Sequence, residues 1–514
     1  MATKFVKVSL SREVQDSFLT YSLAIFNRAL PDCVDGLKTA QRRIILGLRD
    51  LNLRYDLPYK KVSRLEGHVL GAYHPQGGCA STAINMGQAD AMRYTLTDIH
   101  GNVGGSIQTG AVIGQCISED PPAAARYLEV RSTELCHKLY IDEINSDLGE
   151  WRSNYDGSSK ELVRVVPALP ALLLNGAQGI ASGYACYHVP YHLTDVVNCT
   201  IAYIKNKSIS KAALRGKMAG PPDLAQGGIV AKDAGLVSAI DTGSGPVKVK
   251  GTWRVDKGVS YGKRSKRDCI TVTSLPYGSS ERFLERVKVL VDEGKLDDIQ
   301  DVQDHSSSTE GVCVQIVLKP GANQDVIIKT LLLHTNLSHV HNVNATAMVK
   351  GMPKVLGLKE IIENWYSDRV IFVRSKLSLE QNRLDRSLER LSGIEKVLNN
   401  VGILVEILRK SKTRDSAVKS IKKQWSLTDF QASEVLKTPL SKIIRTEIAE
   451  IKDEICQILV RRTEIQSILA SSEALDSLLV EQITEFKAFS SPRRAKYAQE
   501  EVKTSLKTKK LIKK

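Results

Sequence analysis

Six apolar residues, Leu391, Ile394, Leu398, Val401, Val405 and Leu408, recur at 3-4-3-4-3 spacing. That period commits a segment to helix and demands a second helix to cover the stripe. A second seam answers it: Ile444, Ile448, Ile451, Ile455, Ile458 and Ile465, with Arg462 interrupting the spacing. About 35 residues lie between the runs. The pattern predicts two arms of an antiparallel coiled coil with a small helical globule, 411–443, at its tip. A rigid spacer or a dimerisation stalk fits the same seams. A stalk that holds bodies apart or together suits a gated machine better than a small-molecule enzyme.

The first hundred residues also read as helical. Apolar positions at helical spacing follow Ser11 and stop before Pro31, predicting an amphipathic helix over 11–30. Three short helices are expected at 37–51, 62–72 and 79–88, the last two separated by "GAYHPQGG". Helices this close in sequence fit a helix-turn-helix or winged-helix unit, and equally a generic small helical domain. From about 206 to 350, "GPVKVKGTWRV", "CITVTSLP" and "GVCVQIVLKP" read as strands of a separate α/β domain.

The 514 residues allow about three domains. Their net charge of +15 favours a polyanionic partner such as nucleic acid. Nine Lys/Arg against two Glu fall in 493–514, expected as a disordered tail making salt-sensitive phosphate contacts, yet the body stays basic without them. Nine cysteines are scattered without a CxxC pair or zinc spacing, which fits reduced thiols in the cytoplasm. No apolar run approaches the roughly 18 residues of a membrane span, and no apolar leader follows Lys4 and Lys7.

Several familiar chemistries find no footing. No GxxxxGK[ST] phosphate loop is present, and "GSGP" at 243–246 lacks the Lys-Ser/Thr that would complete one. Asp297, Asp298, Asp301 and Asp304 read as a solvated acidic turn, and His334, His339 and His341 lack zinc spacing, so no metal site is expected. No Ser-His-Asp or Cys-His constellation follows from local spacing.

In "PPAAARYLEVRS" (121–132), Arg126 and Tyr127 stand side by side. Alone, such a pair is an ordinary ring beside a solvated guanidinium. Its context is "RALPDCVDGLKTAQRRIILGL" (28–48), "YKKVSRLEGHVLGAYHPQGG" (59–78), "AAARYLEVR" (123–131), "NYDGS" (154–158) and "LLLNGAQGIASG" (172–183). In order and approximate spacing these motifs resemble the A-type polypeptide of bacterial type IIA topoisomerases, the DNA gyrase and topoisomerase IV family with its phage relatives. "GPPDLAQGGIV" (220–230) and "LTDFQASEVLKTPLSKI" (427–443) are similar to its tower and exit-gate helices, so the resemblance covers roughly residues 10–490.

The resemblance implies an α+β multidomain protein. Its parts would be an N-terminal arm helix (1–30), a winged-helix DNA-gate domain (31–165), an α/β tower domain (166–355), an antiparallel coiled coil with a helical exit-gate globule (356–490) and the basic tail (491–514). Tyr127 is implied to be the nucleophile that links to a DNA 5′-phosphate, with Arg126, Arg42 and His74 assisting. Arg28, Lys38, Arg43, Lys60 and Lys61 are implied to line the DNA-facing surface, and Ile180 to wedge between base pairs. Mg²⁺ and ATP are implied to sit on a B-type ATPase/TOPRIM subunit, in a heterotetramer of two A-type and two B-type chains acting on double-stranded DNA. Relaxation and decatenation are expected, because no strand pattern for a DNA-wrapping domain follows the second seam. A supercoiling gyrase component and a non-catalytic DNA-binding paralogue are the alternatives. The chain departs from the family at Gln76, Gly78 and Cys79, where "YHPHGDS" is usual, and in an apparent insertion at 106–120.

Overall fold

The computed structural model describes residues 8–89, 91–104, 121–261, 265–276, 280–306, 311–398, 400–411, 413–437 and 445–498. The insertion at 106–120 and the end of the basic tail lie outside them. The chain divides into two compact units: residues 1–369 with 482–514, where helix and sheet are mixed as an α+β class requires, and residues 370–481, whose described elements are all helices.

In the first unit, α1 (Leu10–Ala29) starts at Ser9, whose hydroxyl accepts the Arg12 N–H. Phe26 in its penultimate turn is buried, whereas Leu10, Val14, Phe18 and Tyr21 are exposed. Next come α2 (Thr39–Asp50), α3 (Val62–Ala72) and α4 (Ala80–Asn85). Their apolar faces bury Ile44, Ile45 and Leu48 from α2 and Val62, Leu65 and Val69 from α3, the spacing of one helix stripe. Strands β1 (Lys60–Lys61), β2 (Thr97–His100) and β3 (Glu129–Ser132) pair antiparallel in the order β1-β3-β2. Beyond them lie α5 (Glu134–Leu139), the hairpin β4 (Trp151–Ser153) with β5 (Lys160–Leu162), and α6 (Leu172–Asn175).

A second hairpin, β6 (Ala177–Ala181) with β7 (Tyr184–His188), leads to α7 (Leu193–Lys205), α8 (Lys211–Arg215), β8 (Gly228–Val230), α9 (Ala234–Thr242) and β9 (Ser244–Lys250). β10 (Trp253–Tyr261), β11 (Ser265–Val272), β12 (Ile299–Asp304) and β13 (Val314–Leu318) form an antiparallel sheet in the order β10-β11-β13-β12. On it pack α10 (Ser280–Asp292) and α11 (Gln324–His334), whose Phe283, Val287, Ile327 and Leu331 share a core with Ile270, Val272, Val314 and Ile316. β12 takes up much of the acidic run that reads as a turn in the sequence. As an edge strand it pairs its backbone on one side while Asp304 stays in water. β14 (Ser338–Asn344) and the hairpin β15 (Thr346–Val349) with β16 (Met352–Val355) follow.

α12 (Leu358–Leu398) runs 41 residues, about 60 Å, and passes into the second unit. There the chain continues through α13 (Val401–Lys410), α14 (Arg414–Trp425), α15 (Asp429–Lys437) and α16 (Arg445–Ala470). Arg461 pairs with Glu380 at 2.8 Å and Arg462 with Asp385 at 2.6 Å, while Ile451 packs against the cluster holding Ile394. Higher numbers on α12 therefore meet lower numbers on α16, and the two helices run antiparallel. The first seam differs from expectation. α12 ends at Leu398 and α13 restarts at Val401, so Leu404 turns into a globule core with Ile394, Val397, Ile421, Leu427 and Val435. A 3-4 period specifies a buried stripe but not which helix covers it. Ile444 lies outside the described residues.

α17 (Ser472–Glu485) and β17 (Ala495–Tyr497) return to the first unit. β17 pairs in parallel with β8 and completes a six-stranded sheet in the order β17-β8-β9-β14-β7-β6. This corrects the expectation of a disordered tail from 491. Asp223, fully buried, accepts from Arg93 Nε at 2.7 Å and from the backbone N–H of Arg494 and Ala495 at 2.8 and 2.9 Å. Arg493 pairs with buried Asp195 at 2.6 Å. The two arginines that look like tail charge are anchors for a strand. Asp223→Ala strands the Arg93 guanidinium without its counter-charge, and urea denaturation is expected to show a loss of about 3 kcal/mol or more. A loss under about 1 kcal/mol would show that the strap is not held there.

Candidate active site

Tyr127 sits where the loop from 121 enters β3. Its own N–H donates to Ala124 O at 2.8 Å, closing a tight turn. The start of α3 ties the same stretch from the other side: Val62 N–H donates to Leu128 O at 2.9 Å and Ser63 N–H to Ala125 O at 3.3 Å. Leu128 and Val130 point inward and are fully buried. The turn before them leaves Tyr127 outward, 63% exposed, with the Arg126 guanidinium 4.6 Å above its ring. β1 pairs with β3 through Lys60↔Val130 and Lys61↔Glu129, and places two exposed lysines on the same sheet. Lys61 is shared with Glu129 at 3.0 Å.

A second cluster gathers residues from α1, α2, the turn after α3 and the β4–β5 hairpin. Arg43 of α2 is held by Glu161 of β5, Nε to Oε2 at 2.7 Å and Nη2 to Oε1 at 3.1 Å, and its Nη1 lies 2.9 Å from His74 Nδ1. Arg152 of β4 also donates to Glu161, at 2.8 Å. Burial pushes the His74 imidazole below its ordinary pKa, and the positive charges of Arg43 and of Arg28, at the end of α1, push it the same way. Lys38 caps α2, its N–H donating to Gln41 Oε1 at 3.0 Å, and burial lowers its ammonium to about 8. Ile180 stands on the β6–β7 hairpin opposite Ala185 and is 64% exposed, an apolar side chain left in water. Among the described residues, no hydrogen bond, ion pair or ring contact within the chain joins Tyr127 to the His74 cluster, and no group of three His, Cys, Asp or Glu could hold a metal ion.

The family model for the A-type polypeptide of DNA gyrase/topoisomerase IV matches residues 28–484. The chain belongs to that family. The gyrase A protein of Brachyspira hyodysenteriae is 32% identical over 480 residues, 93% of this chain and 55% of that protein. The gyrase A protein of Staphylococcus epidermidis is 33% identical over 484 residues, 93% of this chain and 52% of that protein. The chloroplastic/mitochondrial gyrase A protein of Arabidopsis thaliana is 31% identical over 498 residues, 96% of this chain and 51% of that protein. The chain spans about half the length of the curated relatives it matches.

In this member of the gyrase/topoisomerase IV family, Arg42 departs from the role the motif suggested. Its guanidinium is buried and spent on Asp35, Nε to Oδ2 at 2.6 Å and Nη2 to Oδ1 at 3.0 Å, with a further bond to Leu37 O at 3.1 Å. Asp35 is itself fully buried and takes the N–H of Leu37 and Val165. Gly36 makes the turn possible: its φ of 68° suits glycine, and a Cβ there would fall 2.5 Å from Leu172 N. One residue along a helix is about 100° of rotation, so of two adjacent arginines Arg42 faces the core and Arg43 faces His74. Glu161 and Arg152 were not singled out from the sequence. "KEL" after "NYDGSS" carries no spacing that distinguishes them from surface charge. At the altered motif, Glu66 Oε1 accepts the Ala80 N–H at 3.2 Å and occupies the space beside Gly78.

Proposed function

We propose that this chain is the DNA cleavage and religation component of an ATP-dependent type IIA topoisomerase. The α2–α4 helices with the β1-β3-β2 sheet act as a winged-helix DNA gate, the sheets over 166–355 as a tower, and α12 with α16 as the coiled coil of an exit gate. The observation that carries the reading is the outward Tyr127 side chain, fixed in the turn that leads into the central strand of that sheet with Arg126 against its ring. The Tyr127 oxygen attacks a backbone phosphorus, the bond to the 3′-oxygen breaks, and that oxygen leaves with a proton as a free hydroxyl. One phosphodiester replaces another of similar energy, so the break is stored and the reverse attack reseals it. Arg126, always charged, stabilises the negative charge gathering on the phosphoryl oxygens. Arg28, Lys38, Arg43, Lys60 and Lys61 bind the duplex, His74 assists, and Ile180 unstacks a base step.

Two copies of the chain supply the two tyrosines for a double-strand break, through which a second duplex passes. A B-type ATPase/TOPRIM partner completes a heterotetramer of two A-type and two B-type chains. The divalent cation it carries would neutralise phosphate charge beside the reacting centre. Mixing the chain with such a partner, Mg²⁺ and DNA, denaturing, and mapping the DNA-linked peptide tests this directly: Tyr127 should carry the DNA. Arg126→Ala should slow cleavage and religation on the order of 10²-fold or more, as expected when a preorganised charge leaves a phosphoryl-transfer site. Single-turnover rates within twofold of the parent would remove that role. Strand passage is common to relaxation, decatenation and supercoiling, and the relatives' names favour supercoiling as a second reading. Starting from relaxed plasmid with ATP, negatively supercoiled product would identify a gyrase, and its absence a relaxing and decatenating enzyme.

A further inference from the structure

The Arg43–His74 contact fixes more than a distance. A guanidinium has only donors and does not lose its proton in proteins. With Arg43 Nη1 at 2.9 Å, His74 Nδ1 must therefore be the acceptor. An imidazole that accepts at Nδ1 carries its single proton on Nε2. A second proton would have to sit on Nδ1, facing the Arg43 N–H, with Arg28 as a further cation nearby and only Glu161 opposing. Arg43 cannot turn aside, because its Nε and Nη2 are both clamped by Glu161, whose side chain is 5% exposed.

We propose that Glu161 is a positioning residue that, through Arg43, holds His74 as a neutral imidazole with its proton on Nε2, a hydrogen-bond donor for the phosphoryl group during strand cleavage. The cleavage role rests on the function proposed above; the tautomer does not. His74 in this state donates and does not take the Tyr127 proton through Nδ1, whose lone pair is already used. A neutral donor gains strength as negative charge collects on the phosphoryl oxygens.

The decisive measurement is the imidazole nitrogen spectrum of the full chain labelled with ¹⁵N-histidine, with His74 assigned by its loss in His74→Gln. From about pH 6 to about pH 8, His74 should stay in the neutral Nε2–H form. In Arg43→Ala it should exchange between tautomers and titrate at higher pH, since a neighbouring cation is gone, and Glu161→Gln should also give mixed tautomers. A protonated or Nδ1–H His74 in the parent at pH 7 overturns the proposal.

With a B-type partner, Mg²⁺ and DNA, Glu161→Gln should slow cleavage about tenfold or more, and Glu161→Asp should recover part of the rate. The double variant His74→Gln/Glu161→Gln should be no slower than His74→Gln alone, because one acts through the other. Additive losses overturn the positioning role. The two readings fail separately. The expected tautomer in a parent chain that forms no DNA adduct sinks the functional reading. The wrong tautomer in an active parent sinks only this inference.

Discussion

Tyr127→Phe is expected to abolish covalent attachment of DNA, with duplex affinity within about twofold of the parent and stability within about 0.5 kcal/mol. The substitution removes one oxygen from a ring that is 63% exposed and leaves the Arg126 guanidinium where it stacks. The hydroxyl has no hydrogen-bond partner among the described residues, so its loss costs the fold nothing. Phosphoryl transfer, in contrast, loses the oxygen that attacks the phosphorus. Quenching a cleavage reaction with detergent and resolving protein-bound DNA separates the two effects. A surviving adduct, mapped to another exposed tyrosine such as Tyr155, would move the nucleophile and sink the assignment.

Arg42→Ala should act on a different quantity altogether. Removing the guanidinium leaves Asp35 as an uncompensated charge at 0% exposure, still bonded to the N–H of Leu37 and Val165 but without its counter-charge. Breaking one side of such a buried pair costs about 3–5 kcal/mol, enough to unfold a marginal domain. The denaturant midpoint should fall steeply, while cleavage per folded molecule stays within a few-fold of the parent. Arg42→Lys keeps a charge but loses the two-pronged fit, and is expected to recover part of the stability. A stable Arg42→Lys whose cleavage has dropped a hundredfold would return Arg42 to the phosphate.

The contrast between Arg42 and Arg43 marks where sequence reading stops. Both arginines stand in one motif, and family resemblance placed both near DNA. Which of them meets Asp35 and which meets Glu161 depends on how α2 is rotated against the turn at Gly36 and the distant hairpin β4–β5. Glu161 illustrates the same limit from the other side. It lies 118 residues from Arg43, and no local pattern marks it as a partner. The C-terminal strand tells a third version: Arg493 and Arg494 look like tail charge until Asp195, 298 residues before the first, takes its guanidinium and Asp223, 271 residues before the second, takes its backbone N–H.

What the sequence determined by itself were features written within a few turns of chain. The helices at 10–29, 62–72 and 445–470 follow from apolar period, the strands at 244–250, 265–272 and 314–318 from alternation between Gly and Pro. The pairing of Tyr127 with Arg126 is written in adjacent letters, and the family in motif order. Tertiary structure alone decided which side of a helix became core, where the long helix broke at 398, which charges were buried in pairs, and which histidine nitrogen was left to donate. Those outcomes depend on contacts across hundreds of residues, where the cost of burying a charge or leaving a strand edge open is met by a partner that local sequence does not name.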